Sequence, residues 1–267
     1  MTATYAAVDT TAAPIPLGRL VRVEMRKLVD TRAGFWLIAS MGLIAVLVMV
    51  IMLIIASVSS PTSGDANIGF ADFFGLMNTP TGFLLPVMAI LLVTSEWSQR
   101  GALATFTMEP RRERVVIAKL ITSLVAALAA VAVALIVGAV GNVIAGLILD
   151  DPAGSWSMPI SFLTGATLLQ IAGLLLGFGF AALFLNTPAA IVAYFILPSA
   201  IGLVLELIPA LKEHDIALWI SPNSSGALMS ETWPDSTQWS QFLVSHLIWI
   251  GIPMVFGIRR IMRAEVK

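Results

Sequence analysis

The chain has 267 residues, 58% of them hydrophobic and 12% charged, with a formal net charge of -1 and a mean hydropathy of +0.93. A soluble domain of this length carries about 25% charged residues, so this chain could not cover its own surface in water and reads as an integral membrane protein. The near-neutral total argues against a nucleic-acid partner, the absence of cysteine excludes disulfides, thiol catalysis and cysteine-bound metal, and two histidines, His214 and His246, are too few and too far apart in sequence to suggest a metal site.

Residues 1–16 begin with a small, polar stretch that lacks the basic start and apolar core of a signal peptide, and a disordered cytoplasmic tail is expected there. Residues 17–33 hold a basic amphipathic helix. Leu17, Leu20, Val21, Met25, Leu28 and Val29 recur at helical spacing, while Arg19, Arg22, Arg26 and Lys27 fall largely off that stripe. Such a helix suits the inner headgroup layer of a membrane.

Six apolar runs follow within residues 34–258, each near the roughly 20 residues needed to cross about 30 Å of hydrocarbon. The first is Phe35 to Val58. The second, about 81 to 95, is extended backwards by Phe70, Phe73, Phe74 and Leu76, and its Pro80 and Pro86 predict a kink or a broken start. The third runs from about 115 to 149 and the fourth from about 160 to 185. The fifth, about 189 to 208, is opened by Pro188 near its first turn. The sixth is about 242 to 258. Residues 208–241 are too long for a simple turn, and their apolar pieces between turn signals predict one or two short helices against the outer membrane face. The expected fold class is all-α, a six-span polytopic membrane protein.

Orientation follows from the cations. Fourteen of the fifteen Lys and Arg residues lie in three segments: before span one, between spans two and three, and in the tail 259–267. With six spans all three fall on one side, which predicts both termini in the cytoplasm. Trp36 and Trp97 then sit at inner span ends, and Trp156 and Trp239 at outer ends, as indole prefers.

The spans hold little chemistry. No phosphate-binding glycine loop, His-Glu-x-x-His or Gly-x-Ser-x-Gly occurs. Small residues repeat every fourth position as Ala126, Ala130, Ala134 and Gly138 in span three, and as Gly173, Gly177 and Ala181 in span four. Such stripes allow close helix approach, within one bundle or between subunits. The polar residues in or near spans are Asn142, Gln170, Glu206 and His246. They are candidate pathway residues, with bonding between helices as the plainer role; Glu206 and His246 either face each other or reach for water.

The informative segment is the cytoplasmic loop 96–119. It opens with Glu96-Trp97-Ser98-Gln99-Arg100-Gly101, in which Glu96 and Arg100 are spaced for a helical ion pair. It closes with Glu109-Pro110-Arg111-Arg112-Glu113-Arg114 and reaches Lys119. Positive-inside charge explains the arginines, but not the apolar Leu103, Phe106 and Met108 between them. Exposed apolar residues between charged ends suggest a docking element for a soluble partner.

The amphipathic helix, the six-span layout and this loop together resemble the membrane subunit of ABC-2-type ABC transporters. The loop is similar to that family's Glu…Arg-x-x-Thr…Pro-x-Arg…Lys pattern in Glu96, Arg100, Thr105, Pro110, Arg111, Arg112 and Lys119, with Gly101-Ala102-Leu103 where a Gly-Thr often stands. The resemblance covers nearly the whole chain. It implies a permease subunit that pairs with a second permease subunit, identical or not, and docks a separate ABC ATPase. It also implies a plasma-membrane exporter of a drug, antibiotic, peptide or lipid-like substrate. ATP and Mg would belong to the ATPase chain, and none to this one. Glu96 to Lys119, with Glu109 and Arg114, would couple to that ATPase, and the turn Asn186-Thr187-Pro188 would be a second, smaller contact. The rival readings are a scaffold or sensor that docks a cytoplasmic partner without moving cargo, and a lipid-acting enzyme, which the lack of paired acids or histidines in the spans opposes.

Overall fold

The computed structural model describes residues 15–58, 68–98, 101–148 and 156–265. Among them the chain is helical throughout, without a strand. A helix satisfies its own backbone groups, which is what a segment in hydrocarbon requires. Helix α1 covers Leu17–Asp30, α2 Arg32–Val58, α3 Phe70–Ser98, α4 Ala102–Met108, α5 Arg112–Ile148, α6 Ile160–Phe184 and α7 Thr187–Leu207. The short helices α8 (Pro209–Glu213) and α9 (Ile216–Ile220) and a 3-10 turn at Pro222–Leu228 precede α10 (Ser236–His246), which continues through a π turn at Leu247–Gly251 into α11 (Ile252–Arg263). Among the described residues, six helical stretches are long and apolar enough to cross a membrane: α2, α3, α5, α6, α7 and the continuous run Ser236–Arg263.

Helices α3 and α6 form the centre. Each has 56% of its most apolar window buried inside the chain, against 6% for α2. Leu43, Leu47, Ile54 and Ile55 of α2 are all more than half exposed, apolar surface that suits lipid or another helix. The tight crossings depend on missing side chains. A Cβ on Gly177 would lie 2.9 Å from the carbonyl oxygen of Pro86, so glycine lets α6 close on α3; one on Gly257 would lie 2.7 Å from Ala182, which brings α11 onto α6. The small-residue stripes serve this packing: Gly138 faces the backbone of Phe73 and Phe74, and Ala126 and Ala130 join the cluster around Leu85 and Met88.

Several boundaries differ from the sequence reading. Instead of breaking, α3 runs unbroken through Pro80 and Pro86, both buried in the bundle. The last span starts earlier than 242 because Asp235 and Gln238 form a reciprocal capping box that opens α10 at Ser236. Helix α1 ends at Asp30, where Thr31 turns extended and its hydroxyl accepts from the Gly34 amide at 3.1 Å. Asn186 caps α7 by accepting from Ala189 N at 3.0 Å, with Pro188 in the first turn. Residues 208–241 hold two short α-helices and a 3-10 turn, tied to the bundle by Trp249 Nε1, which donates to Ile220 O at 2.6 Å. The tail 1–14 and Arg100 lie outside the described residues.

Candidate docking site

Basic residues from distant parts of the sequence meet at one end of the bundle. Arg112 reaches the C-terminus of α11, Arg260 donates to Leu183 O at the end of α6, and Lys119 meets α1 and α3. The segment that follows α3 lies here.

A buried charge network joins α1, α3, α4 and α5. Lys119 Nζ lies 2.7 Å from Glu24 Oε2 and 3.2 Å from Glu96 Oε1, and it donates to Leu92 O at 2.8 Å. Those three acceptors match the three donors of an ammonium group. Lys27 Nζ lies 2.7 Å from Glu24 Oε1 and 2.6 Å from Glu96 Oε1. Thr105 of α4 donates its hydroxyl to Glu96 Oε1 at 3.1 Å. The side chains of Lys119, Glu24 and Glu96 are 6%, 5% and 9% exposed. Charges taken this far from water are stable only when paired and hydrogen-bonded, and here two carboxylates face two ammonium groups. Burial opposes the charge on Lys27, and the two carboxylates outweigh it, holding its pKa above the ordinary lysine value.

A second cluster sits beside it. The Arg112 guanidinium stacks 4.9 Å above the Phe106 ring. Its Nη1 donates to Ile261 O and Ala264 O at 2.7 Å each and to Met262 O at 3.3 Å. A cation on the last carbonyls of a helix satisfies groups that have no partner within the helix. Phe106 also packs on Trp97, ring centroids 6.0 Å apart. Glu109, buried, pairs with Arg114 at 3.0 Å, and Arg114 donates to Ile15 O. Pro110 and Arg111 are exposed.

Helix α4 is therefore held from behind and open in front. Ala102, Thr105 and Phe106 face the bundle, while Leu103 and Met108 stand 53% and 76% exposed. Next to it, Thr187 Oγ1 of the α6–α7 turn lies 2.7 Å from Thr94 Oγ1, which seats that turn against the end of α3.

The structure thus brings together Glu96, Thr105 and Lys119 in one network and Arg112 with Phe106 in the next. Arg19, Arg22 and Arg26 are exposed along α1, whereas Lys27, grouped with them by sequence, turns inward to the carboxylates. Glu24 was missed. It sits between Val21 and Leu28 on the apolar stripe, where a lone acid signals a buried partner. The four polar span residues do not form one site. Asn142 is fully buried in α5, and neither amide atom has a hydrogen-bond partner among the described residues. Gln170 and His246 line a cavity near the opposite end. Glu206 is exposed and does not line it.

No family model matches the chain, and no curated protein matches it in sequence.

Proposed function

We propose that this chain is the permease subunit of an ABC-2-type exporter, and that α4 is the element docking a separate ATPase. It would work in the plasma membrane as one of two paired permease subunits, with both termini in the cytoplasm. The observation that carries this reading is the mounting of α4. A flexible loop would absorb a push from a partner. Here Thr105 is bonded to the buried carboxylate of Glu96, and Arg112 clamps Phe106 to the end of α11. Motion of α4 would pass directly to α3, α5 and the last span, while Leu103 and Met108 offer apolar surface to the partner. The orientation rests on the gathering of the basic residues at the α4 end, as the positive-inside rule requires. Alternating access of two such bundles, driven by closure of the ATPase pair, would move the cargo; the direction and the range of substrates rest on the resemblance of the loop to that family.

The test is purification of the tagged chain from native membranes in mild detergent, followed by an assay for bound ATP hydrolysis. The reading requires an ATPase subunit to co-purify, and the double variant Leu103→Glu with Arg111→Glu to release it. Arg111 is chosen because it is exposed, so its reversal leaves the buried network intact. A chain that purifies without ATPase activity refutes the reading. Bound ATPase activity without ATP-dependent cargo movement would favour a docking scaffold instead.

A further inference from the structure

Between α3, α6, α7 and α10, towards the end opposite α4, lies a cavity of about 340 Å³. Its walls are largely aromatic and aliphatic. Phe83 stacks on Phe195 with centroids 6.5 Å apart and planes 16° from parallel, and Tyr194 meets Phe195 edge-on at 4.8 Å. Among the described residues, no Asp, Glu, Lys or Arg lines it. Two acceptors in the wall have no partner among the described residues. Asn78 Oδ1 and Gln170 Oε1 are buried without a hydrogen bond, on residues 6% and 3% exposed. Gln170 Nε2 donates to Thr81 O at 3.2 Å, which fixes the amide so that its oxygen is the free end. That oxygen lies beside Gly82, about one helical turn, roughly 5–6 Å, along α3 from Asn78. A third acceptor comes from His246. Its Nδ1 lies 2.8 Å from Phe242 O; a carbonyl only accepts, so Nδ1 holds a proton, and Nε2 is an acceptor whenever the ring is neutral.

Buried acceptors in native proteins find donors. Water would supply them, but a space of this size takes about ten waters at roughly 30 Å³ each, most of them against Phe83, Phe195 and Leu176. An apolar body that displaces them gains what water loses. A compact cation would meet no carboxylate on these walls, and burying it unpaired is unfavourable. We propose that this cavity binds a neutral, flat aromatic molecule carrying hydrogen-bond donors, an aryl amine or a phenol, with the ring against the wall formed by Phe83, Tyr194 and Phe195 and the donors on Asn78 Oδ1 and Gln170 Oε1. The cavity's size falls within the range of small-molecule sites, about 300–1,000 Å³. This site stands apart from the docking role of α4: a chain that binds no ATPase would still bind this ligand.

The test uses the purified full-length chain in lipid nanodiscs and two fluorescent probes, aminomethylcoumarin and its N,N-dimethyl analogue. They share one ring system, and only the first has N–H donors. Protein-free nanodiscs correct for partition into lipid. The amine should bind saturably and about tenfold tighter than the dimethyl analogue, as expected for two buried hydrogen bonds. Asn78→Leu and Gln170→Leu should each weaken the amine roughly three- to tenfold and leave the analogue unchanged. Equal affinities on the unaltered chain overturn the proposal, as does a signal that never saturates or an amine affinity indifferent to both substitutions. Should either variant fail to fold, the comparison of probes on the unaltered chain decides the matter.

Discussion

Replacing Lys119 with methionine removes one of four charges at the junction of α1, α3 and α5. The native group is neutral: Glu24 and Glu96 against Lys27 and Lys119. After Lys119→Met, two carboxylates with side chains 5% and 9% exposed share the single ammonium of Lys27, itself 38% exposed. The hydrogen bonds that Nζ donates to Glu24 Oε2 and Leu92 O are lost, together with its ion pair to Glu96 Oε1. Removing one partner of a buried pair costs about 3–5 kcal/mol, and the lower end applies here because Lys27 remains. On the scale of roughly 2–4 °C per kcal/mol for a soluble domain of similar length, the midpoint should fall by about 10 °C. Tryptophan fluorescence during heating in mild detergent measures it. Adding Glu24→Gln restores neutrality, with Glu96 on Lys27, so the double variant should melt above Lys119→Met alone. A midpoint for Lys119→Met within about 2 °C of the unaltered chain would refute the reasoning, because by the same scale so small a shift means under about 1 kcal/mol. So would a double variant as unstable as the sum of the two single ones.

Three further outcomes follow from the same geometry. Leu103→Glu and Met108→Glu, at exposed positions of α4, should leave thermal stability within about 0.5 kcal/mol while lowering the yield of co-purified ATPase about tenfold, measured by activity per mole of chain. Arg112→Lys keeps the charge but loses the flat group that stacks on Phe106 and aims Nη1 at Ile261 O and Ala264 O; the ATPase should still bind, but its hydrolysis should no longer respond to cargo, measured in proteoliposomes. Gly257→Ala places a methyl 2.7 Å from Ala182 and should cost about 1–3 kcal/mol, whereas Gly42→Ala, with nothing within 4 Å, should leave the melting midpoint unchanged.

Span number was legible in the sequence because hydrocarbon imposes a single length scale, and helical spacing marked the start of α1 but not its end at Asp30. Other boundaries were not. The start of α10 depends on a capping box outside the apolar run. The prolines of α3 were read as a kink or a broken start, yet the helix continues through both and Pro86 is where Gly177 lets α6 approach, so the tertiary contact overrides the signal for a break. The loop residues were singled out, but their partners were hidden by distance in the chain: Glu24 and Lys119 are neighbours only once α1 folds back on α5. Lys27 looked like one more headgroup cation. The cavity was half visible. Gln170 and His246 stood out as polar residues in apolar runs, while Asn78, just ahead of Pro80 at the start of the second span, was not singled out.

The central claim is that α4 touches an ATPase. The chain contains no cysteine, so a single Leu103→Cys provides one thiol for a benzophenone photo-crosslinker in native membranes. Trp233→Cys, at an exposed position near the opposite end and 57% exposed in the unaltered chain, is the control. The account predicts an adduct from position 103 with a nucleotide-binding protein, with a yield that changes when ATP is added, and none from position 233. Lipid adducts alone at 103, or equal protein adducts from both positions, would contradict it.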